Sequence, residues 1–221
     1  MLRKLLLSLM LTVLGAAPAG AASRGAVRPE VQSRKSSSAT GRRKPTANAS
    51  RGARVARRAG ALVGSSLRGY RSVPDDCSGV VRLAYREVGV ELLSQGMRPG
   101  ENAVTAMYRR AKRAGALHKR TPRPGDLVFF RETYDRNGDG RRNDGLTHVG
   151  VVERVEKDGT VVFVHRTSRG VKRGRMNLRH PKLHQTRDGS VLNDYLRRAE
   201  RGQRARFTGE LFSGYATSSR L

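Results

Sequence analysis

Three residues have side chains suited to nucleophilic catalysis: Cys77, His148 and His165. Cys77 is the only cysteine in 221 residues and follows Asp76, a good helix N-cap, at the start of a stretch with apolar residues at helical spacing. We therefore expect the thiol in the first turn of a helix. Free backbone N–H groups and the positive helix end favour an anion there, which predicts a lowered thiol pKa. The alternative is a small buried apolar residue.

Two of the five histidines fall in predicted strands, on either side of a turn signal. If residues 156–159 form the turn, His165 lies opposite Gly150. His148 and His165 then share one face of the sheet as diagonal neighbours. A loop of odd length would set them on opposite faces. This register sets two imidazoles within reach of each other, as a base and a second group that orients it require, whereas His148 alone would be interpreted as a hydrogen-bonded core histidine.

The elements that position these residues are predicted from periodicity and turn signals. Helices are expected near residues 57–64, directly after Asp76 and over 103–114, and strands over 126–131, 147–155 and 160–165. Helices followed by antiparallel strands indicate a small α+β domain. For the last part of the chain we expect a helix over 190–198 and a closing strand over 207–215. His118, His180 and His184 are predicted to be surface residues.

Composition divides the chain into three parts. Arg3 and Lys4 precede an apolar run and a small-residue stretch ending at Ala22, which is typical of a secretory signal peptide over residues 1–22. Residues 23–58 are rich in Arg, Ser and Ala and contain no aromatic residue, which predicts a disordered basic arm. The folded domain is expected over 59–221, with its motif-bearing core at about 60–170. The protein is then exported, to the periplasm, the cell envelope or the medium.

The charge of the chain favours anionic partners. The formal net charge is +27 at pH 7, which fits nucleic acid, acidic lipid or an anionic wall polymer. The basic arm would hold the protein near an anionic wall polymer or membrane surface, and salt would weaken that contact. The alternative for the arm is a solvated linker. No feature of the sequence indicates an obligate protein partner, and one cysteine excludes an internal disulfide.

Three sequence blocks carry a family resemblance: DCSGVV at 76–81, PGDLVFF at 124–130 and THVGVV at 147–152. In order and spacing they resemble the signature blocks of the NlpC-type cell-wall cysteine peptidases. The resemblance implies a papain-like α+β fold, with the nucleophile at a helix N-terminus packed on an antiparallel sheet. It also implies cleavage of peptide bonds in peptidoglycan stem peptides, often between D-glutamate and a diamino acid, without a metal in the chemistry.

The resemblance also assigns roles to individual residues. It implies that Cys77 is the nucleophile, His148 the base and His165 the orienting residue. It suggests that Asp76 and Ser78 help to line the substrate site beside the nucleophile.

The chain departs from the family pattern in two places. The loop before the cysteine helix is short and offers only Tyr70 where family members usually carry a Tyr and a Gly-Gly pair, so Tyr70 is the candidate substrate contact there. An insertion over 132–146 resembles the opening of an EF-hand-type calcium loop, although Leu146 stands where the closing Glu belongs. The insertion is interpreted either as a structural calcium site or as a polar surface loop. The candidate ligands are Asp135, Asn137 and Asp139.

These observations are compatible with three functions. The first is a cysteine peptidase acting on peptidoglycan. The second is amidase chemistry on the sugar–peptide linkage, which needs the same nucleophile and base. The third is a non-catalytic basic module that binds wall polymer or nucleic acid, with a vestigial cysteine site.

Overall fold

The helices and strands are given by a computed structural model that describes residues 50–200 and 202–221. The helices are α1 (Arg51–Ala61), α2 (Cys77–Arg86), α3 (Ala103–Arg113) and α4 (Thr208–Leu211). The strands are β1 (Leu117–His118), β2 (Leu127–Arg131), β3 (Leu146–Val155), β4 (Val161–Thr167), β5 (Gly170–Met176), β6 (Tyr195–Arg197), β7 (Arg206–Phe207) and β8 (Phe212–Ala216). Short 3-10 helices cover Leu67–Gly69 and Ser218–Arg220. The predicted signal peptide and residues 23–49 of the predicted arm lie outside the described residues.

A six-stranded antiparallel sheet in the order β1-β8-β2-β3-β4-β5 forms the centre of the fold, and β6 and β7 form a separate ribbon. The alternation along β2 shows why both faces of the sheet are covered. Leu127 and Phe129 belong to the core cluster on the helical side, whereas Val128 and Phe130 belong to a second cluster on the opposite face. The α+β fold predicted from the sequence is confirmed.

Helix α2 begins where the sequence predicts. The Asp76 carboxylate accepts a hydrogen bond of 3.0 Å from the Gly79 N–H and so caps the first turn. Val80 and Ala84 bury one face of the helix in the core. A Cβ added to Gly79 would lie 2.0 Å from the Pro74 carbonyl oxygen, so only glycine lets the preceding loop approach the first turn this closely.

The predicted start of the folded domain is wrong by nine residues. Helix α1 begins at Arg51, with Ser50 as its N-cap, inside the segment predicted to be a disordered arm. Val55 and Ala59 are fully buried in the core, because small apolar residues recur at helical spacing between the arginines. Gly52 packs closely on the turn before β2, where an added Cβ would lie 2.4 Å from the Pro124 carbonyl oxygen. The start of the helix was not predicted because the many arginines of this segment were interpreted as a sign of disorder.

The β3–β4 hairpin has the predicted register near the histidines, although its turn differs from the prediction. Val155 pairs with Val161, so the turn is one residue longer than predicted. A β-bulge at Glu153 then shifts the register back by one residue. Beyond the bulge the ladder sets Gly150 opposite His165, and a Cβ built on Gly150 would lie 3.4 Å from the Cβ of His165. The bulge therefore keeps the two candidate histidines on one face of the sheet despite an odd turn.

The C-terminal part differs most from the predictions. The helix expected over 190–198 is wrong: this stretch is extended and ends in β6. Buried Asn193 explains the difference, since its side-chain amide donates to the carbonyls of His180 and Leu183 at 2.9 and 2.8 Å and so ties distant parts of the loop together. The closing strand predicted over 207–215 is in part the short helix α4. Strand β8 follows it and lies inside the sheet, between β1 and β2.

Within residues 50–200 and 202–221, no helix combines the length and the apolar character that crossing a membrane requires.

Candidate active site

Cys77 is the first residue of α2, as predicted, and is half-buried at the bottom of a cleft. Burial raises the pKa of its thiol, whereas the backbone N–H groups of Val149 in β3 and of Cys77 and Ser78 at the start of the helix act to lower it. The Cys77 side chain packs against the core cluster on the helical side of the sheet, which includes Val149 of β3. His148 precedes Val149 in the same strand and lines the same cleft as Cys77.

The two predicted histidines form a hydrogen-bonded pair. Nε2 of His148 lies 2.8 Å from Nδ1 of His165, and the ring planes are 85° apart. Phe130 and Phe163 pack beside them, with ring centroids 6.1 Å from His148 and 4.9 Å from His165 respectively. The aromatic wall buries His165, of which 6% is exposed. Since Nε2 of His148 is occupied by its partner, Nδ1 is the ring nitrogen left for the thiol.

Burial controls the protonation of this site. It lowers the pKa of His148 to about 4, although the Asp76 carboxylate opposes the shift. The pKa of His165 is held well below its usual range by burial and by the neighbouring His148. Burial, with a further contribution from Asp76, raises the pKa of Cys77 to about 12. The resting site is therefore a neutral thiol beside two neutral imidazoles.

This resting state corrects the lowered thiol pKa predicted from the helix N-terminus. The backbone N–H groups around Cys77 do lower its pKa, as predicted. Desolvation and the Asp76 carboxylate outweigh them. A helix position can be read from the sequence, whereas the depth of the sulfur depends on the whole fold.

Asp76 and Ser78 both line the cleft beside Cys77. The Ser78 hydroxyl donates to Asp76 Oδ1 at 2.7 Å, so the buried serine holds the capping carboxylate in place. The neighbouring Asp75 accepts two hydrogen bonds from the guanidinium of Arg166, at 2.8 and 3.0 Å. Arg166 directly follows His165 in β4, and this pair connects the start of α2 to the histidine strand.

Tyr70 does not line the cleft. It ends the short 3-10 helix before α2, and its ring packs against the helical side of the core. Tyr134 from the insertion lines the cleft instead, with 49% of the residue exposed, and burial, followed by the Cys77 side chain, raises the pKa of its hydroxyl. Sequence reasoning missed Tyr134 because the insertion was read only for metal ligands. The other cleft residues that it missed are Asp75, Asn102, Ala103, Val104, Thr147, Arg166, Thr167 and Ser168.

The insertion folds around its own carboxylates. Asp135 accepts backbone N–H bonds of 2.8 Å from Gly138 and from Gly140. Asp139 likewise accepts a hydrogen bond of 2.7 Å from the Arg141 N–H within the loop. Within residues 50–200 and 202–221, no group of three or more His, Cys, Asp or Glu side chains is placed to hold a metal ion. Calcium binding by Asp135, Asn137 and Asp139 stays a prediction, and no step of the chemistry depends on it.

The remaining histidines fall in different environments. His180 is exposed, as predicted. His118 is not a surface residue: its side chain is 10% exposed and its Nε2 lies 3.4 Å from an oxygen of buried Asp126. His184 is half-buried, and its Nδ1 lies 2.7 Å from the Asn193 carbonyl oxygen. Neither His118 nor His184 lines the cleft.

Comparison with known proteins found similarity to one protein family. Residues 68–167 match the family model of the CHAP domain, which spans α2, the insertion and both histidines. CHAP domains occur in NlpC-type and amidase cell-wall hydrolases, so the relationship predicted from the three blocks is confirmed. The match over residues 68–167 indicates a hydrolase that acts on peptidoglycan as an amidase or a peptidase. No curated protein and no solved structure matches the chain.

Proposed function

We propose that this protein is an exported cysteine peptidase that hydrolyses peptide bonds in peptidoglycan stem peptides. The observation that carries the proposal is the His148–His165 hydrogen bond of 2.8 Å in a cleft that also holds Cys77 at the start of α2. A thiol, a base and a group that orients the base are the parts that nucleophilic catalysis needs.

The first step is the attack of Cys77. His148 donates its Nε2 proton in the hydrogen bond to Nδ1 of His165, which stays a neutral acceptor because its pKa is so low. Nδ1 of His148 is then free to take the thiol proton as the sulfur attacks the carbonyl carbon. The same imidazole passes that proton to the nitrogen of the leaving amine, and a thioester to Cys77 remains.

The second step reverses these roles. His148 takes a proton from water, the hydroxide adds to the thioester carbon, and the thiol leaves with the proton. In both steps negative charge develops on the carbonyl oxygen. Backbone N–H groups at the start of α2 are suited to hold that charge, since they lie at the positive end of a ten-residue helix.

The cleft favours a peptide segment over a large folded partner. Its volume is about 400 Å³, and its lining combines apolar surface with polar and charged groups, among them Asp76, Asn102 and Arg166. Such a lining suits a short chain with amide, amino and carboxylate groups. Export is part of the proposal and rests on the signal-peptide pattern of residues 1–22.

The test is digestion of isolated cell-wall sacculi and of defined muropeptides, with mass spectrometry of the products. We expect peptide fragments that leave a shortened stem on the glycan. The Cys77→Ala variant should release none, while Arg187→Gln, at an exposed position outside the cleft, should match the parent. Release of whole stems would assign amidase chemistry instead. Unchanged turnover by Cys77→Ala would end the cysteine mechanism.

A further inference from the structure

A second pocket adjoins the cleft and shares His148 with it. This pocket has a volume of about 720 Å³ and is walled by His165 on one side and by β6 and the residues after it on the other. Tyr134, His148 and Arg166 line both the cleft and this pocket. The wall made by β6 lies beyond the matched CHAP segment, which ends at residue 167. The C-terminal part of the chain therefore adds a binding surface to the site.

Four arginine side chains line this second pocket, which we call the arginine pocket. Arg169, Arg197 and Arg198 line it in addition to Arg166, and Glu200 is the one acidic residue among the described residues that do so. Arg166 is neutralised by Asp75. The other three arginines form no ion pair within residues 50–200 and 202–221, so the pocket carries a net positive charge.

The arginine pocket is partly pre-organised for an anion. Buried Arg197 is fixed by a hydrogen bond of 2.9 Å from its Nη1 to the Glu132 carbonyl oxygen. Arg198 donates to the Ser168 hydroxyl at 3.1 Å, which holds its guanidinium near the mouth. Arg169 is exposed and forms no side-chain hydrogen bond among the described residues. Guanidinium donors in such an arrangement match the paired oxygens of a carboxylate.

We propose that the arginine pocket binds a free carboxylate on the leaving peptide of the substrate. This inference rests on the proposed function. The leaving nitrogen must come within hydrogen-bond reach of His148, so the leaving peptide extends past the histidines. Both histidines line the arginine pocket, whereas Cys77 and Asp76 line only the cleft. Stem peptides with a free carboxylate beyond the cleaved bond are then preferred over stems that carry a carboxamide at that position.

The experiment compares two defined muropeptides that differ only in a carboxylate or a carboxamide on the leaving peptide. The enzymes are the parent, the double variant Arg169→Gln/Arg198→Gln, and Arg187→Gln as a control with one surface charge removed outside the pocket. We expect the double variant to raise KM for the carboxylate substrate about tenfold, since two charged contacts are lost, and to leave its KM for the carboxamide unchanged. Because neither arginine touches the reacting atoms, kcat should change less than about twofold.

A binding measurement separates this inference from the proposed catalytic function. The Cys77→Ala protein is titrated with each intact muropeptide by calorimetry, with and without the two arginine substitutions. Binding of the carboxylate form that weakens about tenfold on substitution supports the arginine pocket, even if the parent hydrolyses neither substrate. Equal affinity of the Cys77→Ala protein for the carboxylate form with and without the two arginine substitutions overturns it, even if the parent proves to be an active peptidase.

Discussion

Arg166 and Asp75 lie 91 residues apart in the chain and form a two-pronged ion pair, with both guanidinium-to-carboxylate distances at or below 3.0 Å. Asp75 directly precedes the N-cap of the cysteine helix, and Arg166 directly follows His165. The pair therefore ties the strand that carries His165 to the helix that begins at Cys77. It also holds the pKa of Asp75 below its usual range, chiefly through the hydrogen bond from Arg166.

Breaking this pair should slow the reaction more than it destabilises the fold. In Asp75→Asn the paired charge is lost and the helix start is free to shift relative to β4. We expect kcat to fall roughly ten- to hundredfold, because small displacements of reacting groups are costly. The control is Arg68→Gln, which removes the other guanidinium near Asp75, at 3.7 Å and highly exposed. The idea fails if both variants lose activity equally, or if Asp75→Asn keeps the parental kcat.

His165 is expected to act as an acceptor that positions His148. His165→Leu removes the acceptor, so His148 can turn and change its tautomer, and we expect kcat to fall about a hundredfold, toward the lower range for losing general base catalysis. His165→Asn keeps a polar acceptor and should recover part of the loss. Steady-state kinetics on a defined muropeptide measures both variants. Equal activities of the two would show that the polar contact has no part in catalysis.

Much of the site is readable from the sequence, because short-range signals specify it. An N-cap before an apolar helical stretch located Cys77, and strand alternation around a turn located His148 and His165. The agreement on the hairpin is partly fortuitous, however. The turn is one residue longer than predicted, and the bulge at Glu153 compensates for it.

The features that the sequence did not reveal depend on long-range packing. The pKa of Cys77 is set by how deeply the assembled fold covers the thiol, and the contact of Arg166 with Asp75 joins segments far apart in the chain. Tyr134 enters the cleft because Thr133 is tied to Thr147 of β3 by a backbone-to-hydroxyl hydrogen bond of 2.9 Å. No local pattern encodes any of these relationships.

Calcium binding by the insertion is a separate prediction. The order Asp135, Asn137, Asp139 and Gly140 supplies oxygen ligands at alternate positions followed by glycine. Calcium should raise the melting temperature of the parent, because an ion bound only by the folded loop stabilises it. The double variant Asp135→Asn/Asp139→Asn should lose the shift, and magnesium serves as the control ion. A parent that melts at the same temperature with and without calcium contradicts the prediction.

Gly79 is predicted to be the least tolerant glycine near the site. Alanine there would place a Cβ 2.0 Å from the Pro74 carbonyl oxygen, so the loop before α2 must move. We expect Gly79→Ala to lower the free energy of unfolding by about 1–3 kcal/mol, as overpacking of a rigid contact does. Gly69→Ala is the matched control, since no atom lies within 4 Å of its added Cβ. Urea denaturation of both variants measures the loss of stability. Equal urea midpoints would contradict the close contact between Gly79 and Pro74.

The protonation states of the site predict an unusual pH dependence. His148 must be neutral to accept the thiol proton, and its pKa of about 4 keeps it neutral throughout the neutral and mildly acidic range. We expect kcat/KM to hold down to about pH 5 and to fall as the pH passes through about 4, because kcat/KM reports groups of the free enzyme. Alkylation of the resting thiol should stay slow at neutral pH and rise only in the alkaline range, since the pKa of Cys77 is about 12. An alkylation rate that already levels off near pH 7 would contradict this resting state.

The same burial makes stability depend on pH in a defined direction. An unfolded chain protonates His148 near its ordinary pKa of 6.5, whereas the folded protein does so only near 4. The unfolded state therefore binds more protons between these values. Keeping His148 neutral contributes about 3 kcal/mol to the free energy of unfolding above pH 6.5, and this contribution is lost as the pH falls toward 4. His148→Gln cannot titrate and should lose less stability over this interval in urea denaturation, while His165 accounts for further loss in both proteins at lower pH. Identical pH profiles for parent and variant would mean that His148 is not held neutral by the fold.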